Sequence, residues 1–161
     1  MGDSATAIQY YRQALAIDRR LTSVDPKDAS ARYYLAYDSY RLGDAQLKTS
    51  DIRGAIASYR LAVSKAEMNS NLDPGNAMMR SELARVYSKL AKAHFTAASS
   101  ASLERAGKRN NLATALDWYQ KSLTIWLDLR DRGALRGTDA SEVDKVADEL
   151  SKCTTEMRRA A

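Results

Sequence analysis

Cysteine, histidine and phenylalanine each occur once in this 161-residue chain, proline twice and glycine seven times. The lone Cys153 excludes an intramolecular disulfide and suits a reducing, cytoplasmic compartment. With a single imidazole, His94, clustered His ligation is excluded, and His94 is expected as a surface or boundary residue rather than a metal ligand or general base. Cys153 has no histidine nearby in sequence and reads as a small buried hydrophobe. No apolar run approaches the roughly 20 residues that span a bilayer, and the N-terminus lacks a signal-peptide core. Membrane insertion by this segment is therefore not expected, which leaves open an anchor elsewhere in a parent protein. The loop from Gly133 to Gly137 lacks the Gly-Lys-Ser/Thr ending of a phosphate cradle. Asp128 and Asp131 alternate with arginines and read as solvated helix-end charges. No nucleophile, base and orienting group can be assembled, so neither catalysis nor a cofactor or metal is expected.

What the chain does have is repetition. One helix-sized phrase is written three times, as Ala7-Ile8-x-x-Tyr11-Arg12-x-Ala14-Leu15, Ala55-Ile56-x-x-Tyr59-Arg60-x-Ala62-Val63 and Ala115-Leu116-x-x-Tyr119-Gln120-x-Ser122-Leu123, starting 48 and then 60 residues apart. The intervening segments repeat too: Pro26, Ala29, Arg32, Leu35, Ala36, Leu42 and Ala45 recur 48 residues later as Pro74, Ala77, Arg80, Leu83, Ala84, Leu90 and Ala93. Self-similarity at such a period means stacked two-helix units, with function on a surface rather than in an enclosed cavity.

On these residues the chain resembles the tetratricopeptide repeat family, whose pattern is W-x2-L-G-x2-Y, then A-x3-F, then P. Ala-x3-Tyr stands in all three copies, and Asp25-Pro26 and Asp73-Pro74 supply the closing proline. In the front half, Arg32 and Arg80 replace the tryptophan, Ala36 and Ala84 replace the glycine, and only the second unit has the tyrosine, at Tyr87, where the first has Ser39. The family's unit has about 34 residues, so a spacing of 48 adds seven residues to each helix. Seven residues are about two turns and return the apolar stripe to nearly the same face. This long form is similar to the arrays of kinesin light chains and, in the phrase Trp118-Tyr119-Gln120-Lys121-Ser122-Leu123 to Arg130, to those in the C-terminal portions of bacterial eukaryotic-like serine/threonine kinases. The resemblance implies an all-α, right-handed solenoid of antiparallel helix pairs.

Capping chemistry places the helices. A side-chain oxygen before the first turn accepts from an otherwise unpaired backbone N–H, and Asp3, Asp51 and Asn111 share one register while Asp28 and Asn76 share another. Six helices are predicted over residues 3–23, 28–48, 51–71, 76–98, 111–131 and 139–158. Residues 1–161 are read as a single domain: a half repeat at 3–23, a repeat at 28–71, a repeat at 76–131 carrying an insertion near 99–110, and a capping helix at 139–158. That last helix opens with Asp139 and Glu142 at capping-box spacing and carries Val143, Val146, Ala147, Leu150, Cys153 and Met157 on one stripe. The first helix has no such cover, so the chain is expected to be a piece of a longer array, with Ile8, Tyr11, Leu15 and Ile17 facing a missing neighbour or another protein. The insertion reads either as a solvated loop with a frayed helical extension or as a partner-contacting arm.

Charge is localised. Residues 80–109 carry seven basic and two acidic side chains, which accounts for the whole net charge of +5. Arg85, Lys89 and Lys92 follow i, i+4, i+7 and share one helix face. In tetratricopeptide proteins the first helix of each unit lines a concave groove, and the resemblance places Tyr33, Tyr37, Tyr40 and Arg41 beside Ser81, Arg85, Ser88 and Lys89. The expected function is a non-catalytic protein-interaction scaffold, taking a protein or peptide segment, acidic or phosphorylated, through Tyr33, Tyr37, Tyr40, Arg41, Arg85, Ser88, Lys89 and Lys92. Solvated surface is the competing reading of the basic residues, and core packing that of the tyrosines. The asparagine-rich carboxylate clamp of chaperone adaptors does not map onto the chain. The alternative role is a regulatory or self-association segment of a larger bacterial signalling protein such as a serine/threonine kinase, contacting its own kind through the first helix. Nucleic-acid binding ranks below both, because the basic footprint is modest and no nucleic-acid motif is present.

Overall fold

A computed structural model describes residues 4–100 and 103–160. The expected cap at Asp3, and Ala101 and Ser102 of the insertion, lie outside the described residues. The fold is all-α, of the helix-pair solenoid class: α1 Ser4–Val24, α2 Ala29–Lys48, α3 Ile52–Leu72, α4 Ala77–Ala98, α5 Arg105–Asp131, a 3-10 turn at Gly137–Asp139, and α6 Ala140–Arg159. The chain divides into two compact units, Met1–Pro74 and Gly75–Ala161, and within each unit every helix packs on its sequence neighbour.

In the first unit the expected caps form. The Asp28 carboxylate accepts from Ser30 N and Ala31 N, and that of Asp51 from Gly54 N. Leu15, Leu35 and Leu42 make a core seam that Ile8, Tyr11 and Leu61 flank. Ile8, Tyr11 and Leu15 therefore face α2 rather than an absent neighbour, and of the four residues expected to be orphaned only Ile17 is exposed. Arg32, at the position where the family pattern has tryptophan, is 2 % exposed. Its Nε donates to Asn69 Oδ1 at 2.8 Å and its Nη1 to the Pro26 carbonyl, so it ties the start of α2 to the end of α3 and to the turn before it. Gly43 is a close approach: a Cβ there would lie 2.6 Å from the Tyr59 ring, whose hydroxyl donates to Asp44 Oδ1 at 2.7 Å. Burial and the adjacent Asp44 carboxylate push the Tyr59 phenol far up, so it remains neutral.

The second unit repeats the scheme with different chemistry. Asn76 caps α4 by accepting from Met79 N. Arg80, equivalent to Arg32, pairs with Asp128 near the end of α5, which corrects the reading of Asp128 as a solvated charge. The Ser122 hydroxyl donates to the Ala84 carbonyl at 2.7 Å across the α4–α5 contact. Ala84, Ala91, Ala115, Tyr119, Trp126 and Leu129 form the core with Val143, Val146 and Cys153 of α6. The insertion lengthens α5 by almost two turns, so Asn111 sits within the helix and is no cap; its Oδ1 meets His94 Nδ1 at 3.0 Å and its Nδ2 donates to the Gly107 carbonyl. His94 is buried rather than at the boundary.

Asp139 and Glu142 form no capping box. Asp139 has helical backbone angles and no capping bond; its carboxylate accepts from Arg85 instead, while Glu142 pairs with Lys145. On α6 the stripe is buried at Val143, Val146 and Cys153, but Ala147 is exposed. Cys153 is fully buried with its thiol 3.6 Å from the Leu112 carbonyl, and burial pushes its pKa up to about 11.

Candidate functional site

Helix α2 presents a row of tyrosines because residues 33, 37 and 40 repeat at i, i+4 and i+7. Their rings pack in sequence: Tyr33 stacks on Tyr37 at 6.3 Å between centroids, and Tyr37 meets Tyr40 edge-on at 5.1 Å. Tyr34, which the helical spacing passed over, joins Tyr33 edge-on at 5.5 Å and is 57 % exposed. Tyr33 and Tyr37 are half-buried and Tyr40 is buried. Arg41 is exposed at the end of the row; its Nε donates to the Tyr11 hydroxyl at 3.2 Å, and its guanidinium lies 5.9 Å from that ring's centroid.

A carboxyl pair lies beside the row, where α1 meets α2. Burial, and then the neighbouring Asp38 charge and their hydrogen bond, raise the Asp18 pKa to about 6. Burial also raises that of Asp38, against the pull of the Asp18 hydrogen bond and of Arg41. No sequence signal marked this pair, because 18 and 38 meet only when the two helices pack.

The basic face of α4 divides by role. Arg85 is engaged inside its own unit: Nη2 donates to Asp139 Oδ1 at 3.0 Å, Nε lies 3.6 Å from Glu82 Oε2, and the guanidinium sits 5.8 Å from the centroid of the fully buried Trp126 ring. Burial works against its charge, but Asp139 and Glu82 more than offset that and raise its pKa. Burial raises the pKa of Glu82, and Arg85 and Lys89 oppose it. The Ser88 hydroxyl donates to the Arg85 carbonyl. Lys89 is half-buried and Lys92 exposed. Beyond the basic stretch, Trp118 lies 5.2 Å from Tyr87, with the Lys121 ammonium 4.2 Å from the Trp118 centroid. The lengthened start of α5 meets the end of α6, where Arg105 Nε donates to the Ala160 carbonyl at 3.1 Å. A shallow cleft there is lined by Phe95, Lys108, Leu112, Glu156 and Arg159.

The eight sequence-derived candidates thus lie in two sets, Tyr33, Tyr37, Tyr40 and Arg41 in the first unit and Arg85, Ser88, Lys89 and Lys92 in the second. Among the described residues no group of three or more His, Cys, Asp and Glu could hold a metal ion, and no helix is long and apolar enough to cross a membrane.

No curated protein matches the chain, and neither does any solved structure. A family profile does: the one described as tetratricopeptide repeat matches residues 1–21, which hold the first copy of the repeated phrase. That match, with paired helices in both units, supports a place for the chain among tetratricopeptide repeats, a family whose repeats mediate contact between proteins.

Proposed function

We propose that the chain is a scaffold that holds a polypeptide segment of another protein against the tyrosine face of α2, with Arg41 giving a preference for acidic or phosphorylated sequence. The observation that carries this reading is the ring row Tyr34, Tyr33, Tyr37 and Tyr40. Rings already packed on one another lose little freedom when a partner covers them, which is why aromatic surface is efficient at interfaces. In the other unit, Arg85 serves mainly to hold Asp139 at the start of α6. The site is non-catalytic, and the setting that best fits one buried thiol is a reducing intracellular compartment.

The test is binding kinetics, at two salt concentrations, with a partner captured from the source cell. Tyr37→Ala should speed dissociation roughly tenfold, since a packed ring contributes after contact is made. Arg41→Glu should slow association and reduce its salt sensitivity, because fixed charges steer encounter within about a Debye length. A partner whose affinity ignores both changes would sink the reading.

A second reading is self-association, as a regulatory segment of a larger signalling protein such as a bacterial serine/threonine kinase. Its support is the apolar face of α1, on which Tyr10, Ile17, Leu21 and Val24 are exposed.

A further inference from the structure

Helix α1 carries two apolar stripes. One packs on α2 through Ile8, Tyr11 and Leu15. On the other, Tyr10, Ile17, Leu21 and Val24 are 64, 62, 52 and 79 % exposed. With Ala7 and Ala14 these residues fall alternately three and four apart, from Ala7 through Tyr10, Ala14, Ile17 and Leu21 to Val24, over the whole helix. That is the spacing of a seam for another helix.

The internal repeat shows what such a face meets. Ala14 is equivalent to Ala62, fully buried on α3, and to Ser122, bonded to the Ala84 carbonyl of α4. Tyr10 is equivalent to Trp118, which packs on Tyr87. In both units, then, the first helix covers this face of the second.

A first helix from another copy would not fit α1. Arg32 and Arg80 end on Asn69 and Asp128, and the equivalent residues of α1 are Leu21 and Arg20, one apolar and one already cationic. Nor would the outer face of α6, where Asp144, Lys145, Asp148 and Lys152 are exposed and no large apolar side chain is. The α1 seam does fit itself. Run antiparallel about a two-fold axis between Ala14 and Ile17, two copies set Ala14 opposite Ile17, Ala7 opposite Val24 and Tyr10 opposite Leu21. Each alanine meets a larger side chain. Arg20 falls beside Gln13 rather than another charge, and Arg12 and Arg19 lie off the seam.

We propose that α1 docks antiparallel on α1 of a second copy, an isologous contact in which each residue pairing occurs twice. The proposal deepens the self-association reading and rests on it. Sedimentation equilibrium of the whole chain from about 1 µM to about 1 mM should show a reversible monomer and dimer. Ile17→Glu, at an exposed position, should weaken the dimer at least about tenfold without changing the circular dichroism. For register, Ala7→Cys chains are mixed with Val24→Cys chains under mild oxidation, Cys153 being buried. A mixed disulfide is expected over either homodimer, since positions 7 and 24 lie about 25 Å apart along one helix. Disulfides within each variant alone would mean a parallel pair, and a dimer insensitive to Ile17→Glu would mean another interface; either overturns the proposal while self-association stands. A monomer at every concentration would overturn both.

Discussion

Two residues with positive φ test the same physics with opposite signs. Gly133, at φ 65°, closes α5, and the N–H of Ala134 returns to the Leu129 carbonyl at 2.8 Å. Ser50, at φ 63°, does the same after α2, with Asp51 N bonded to the Gln46 carbonyl at 2.9 Å. In the left-handed region a Cβ crowds the following carbonyl, which only glycine avoids. Ser50→Gly should therefore stabilise the protein by about 0.5–1 kcal/mol, and Gly133→Ala should destabilise it by about 1 kcal/mol. Urea denaturation of the two variants beside the parent chain checks both signs.

At the scale of the element, the contact of α1 with α2 should weaken as the Asp18 carboxyl ionises. The Asp18 pKa is raised to about 6 in the folded state by burial and by Asp38, while an unfolded Asp titrates near 3.9. Between those values the folded chain binds more protons than the unfolded one, so stability falls as pH rises from about 4 to about 6. Arg41 pulls on Asp38 from the same helix, and no cation is among the causes that set Asp18. The expected loss is on the order of 1 kcal/mol across that window. Asp18→Asn should remove the slope and keep the helix contact, and amide exchange through α1 measured at pH 4.5 and 7 would show it. A slope retained in the Asn variant would assign the effect to other groups.

For the whole molecule, two compact units each with its own buried seam imply stability that is lost locally. Leu35 and Leu83 occupy equivalent positions in the repeat and are 2 % and 7 % exposed. Each Leu→Ala change should cost roughly 2–5 kcal/mol, as methylenes leave a packed site and a cavity remains. Stability in repeat proteins is close to a sum of unit and neighbour terms. Hydrogen exchange should accordingly show Leu35→Ala releasing amides of α1 to α3 first, and Leu83→Ala those of α4 to α6. Uniform loss of protection in both variants would mean a single cooperative unit.

Local chemistry by itself determined the number of helices, the caps at Asp28, Asp51 and Asn76, the burial of Cys153, the tyrosine row of α2 and the two-helix repeat, because each depends on residues within one or two turns of each other. Gln46 stands 48 residues before His94, as the repeat spaces its copies, and Asp51 and Asn111 share one register; the structure pairs Gln46 with Asp51 and His94 with Asn111 in corresponding contacts. What only the tertiary structure decided lies between helices. Asn111 has the register of a cap, yet α5 runs on to Arg105. Asp139 has the spacing of a capping box, yet Arg85, far away in sequence, supplies a charged donor that outcompetes a backbone N–H. Asp128 alternates with arginines along its own helix, but Arg80 claims it from another. Asp18 and Asp38 come to shift each other's titration only through packing. A side chain's nearest partner across a helix contact is set by how two stripes interlock, and periodicity along one helix carries no record of that.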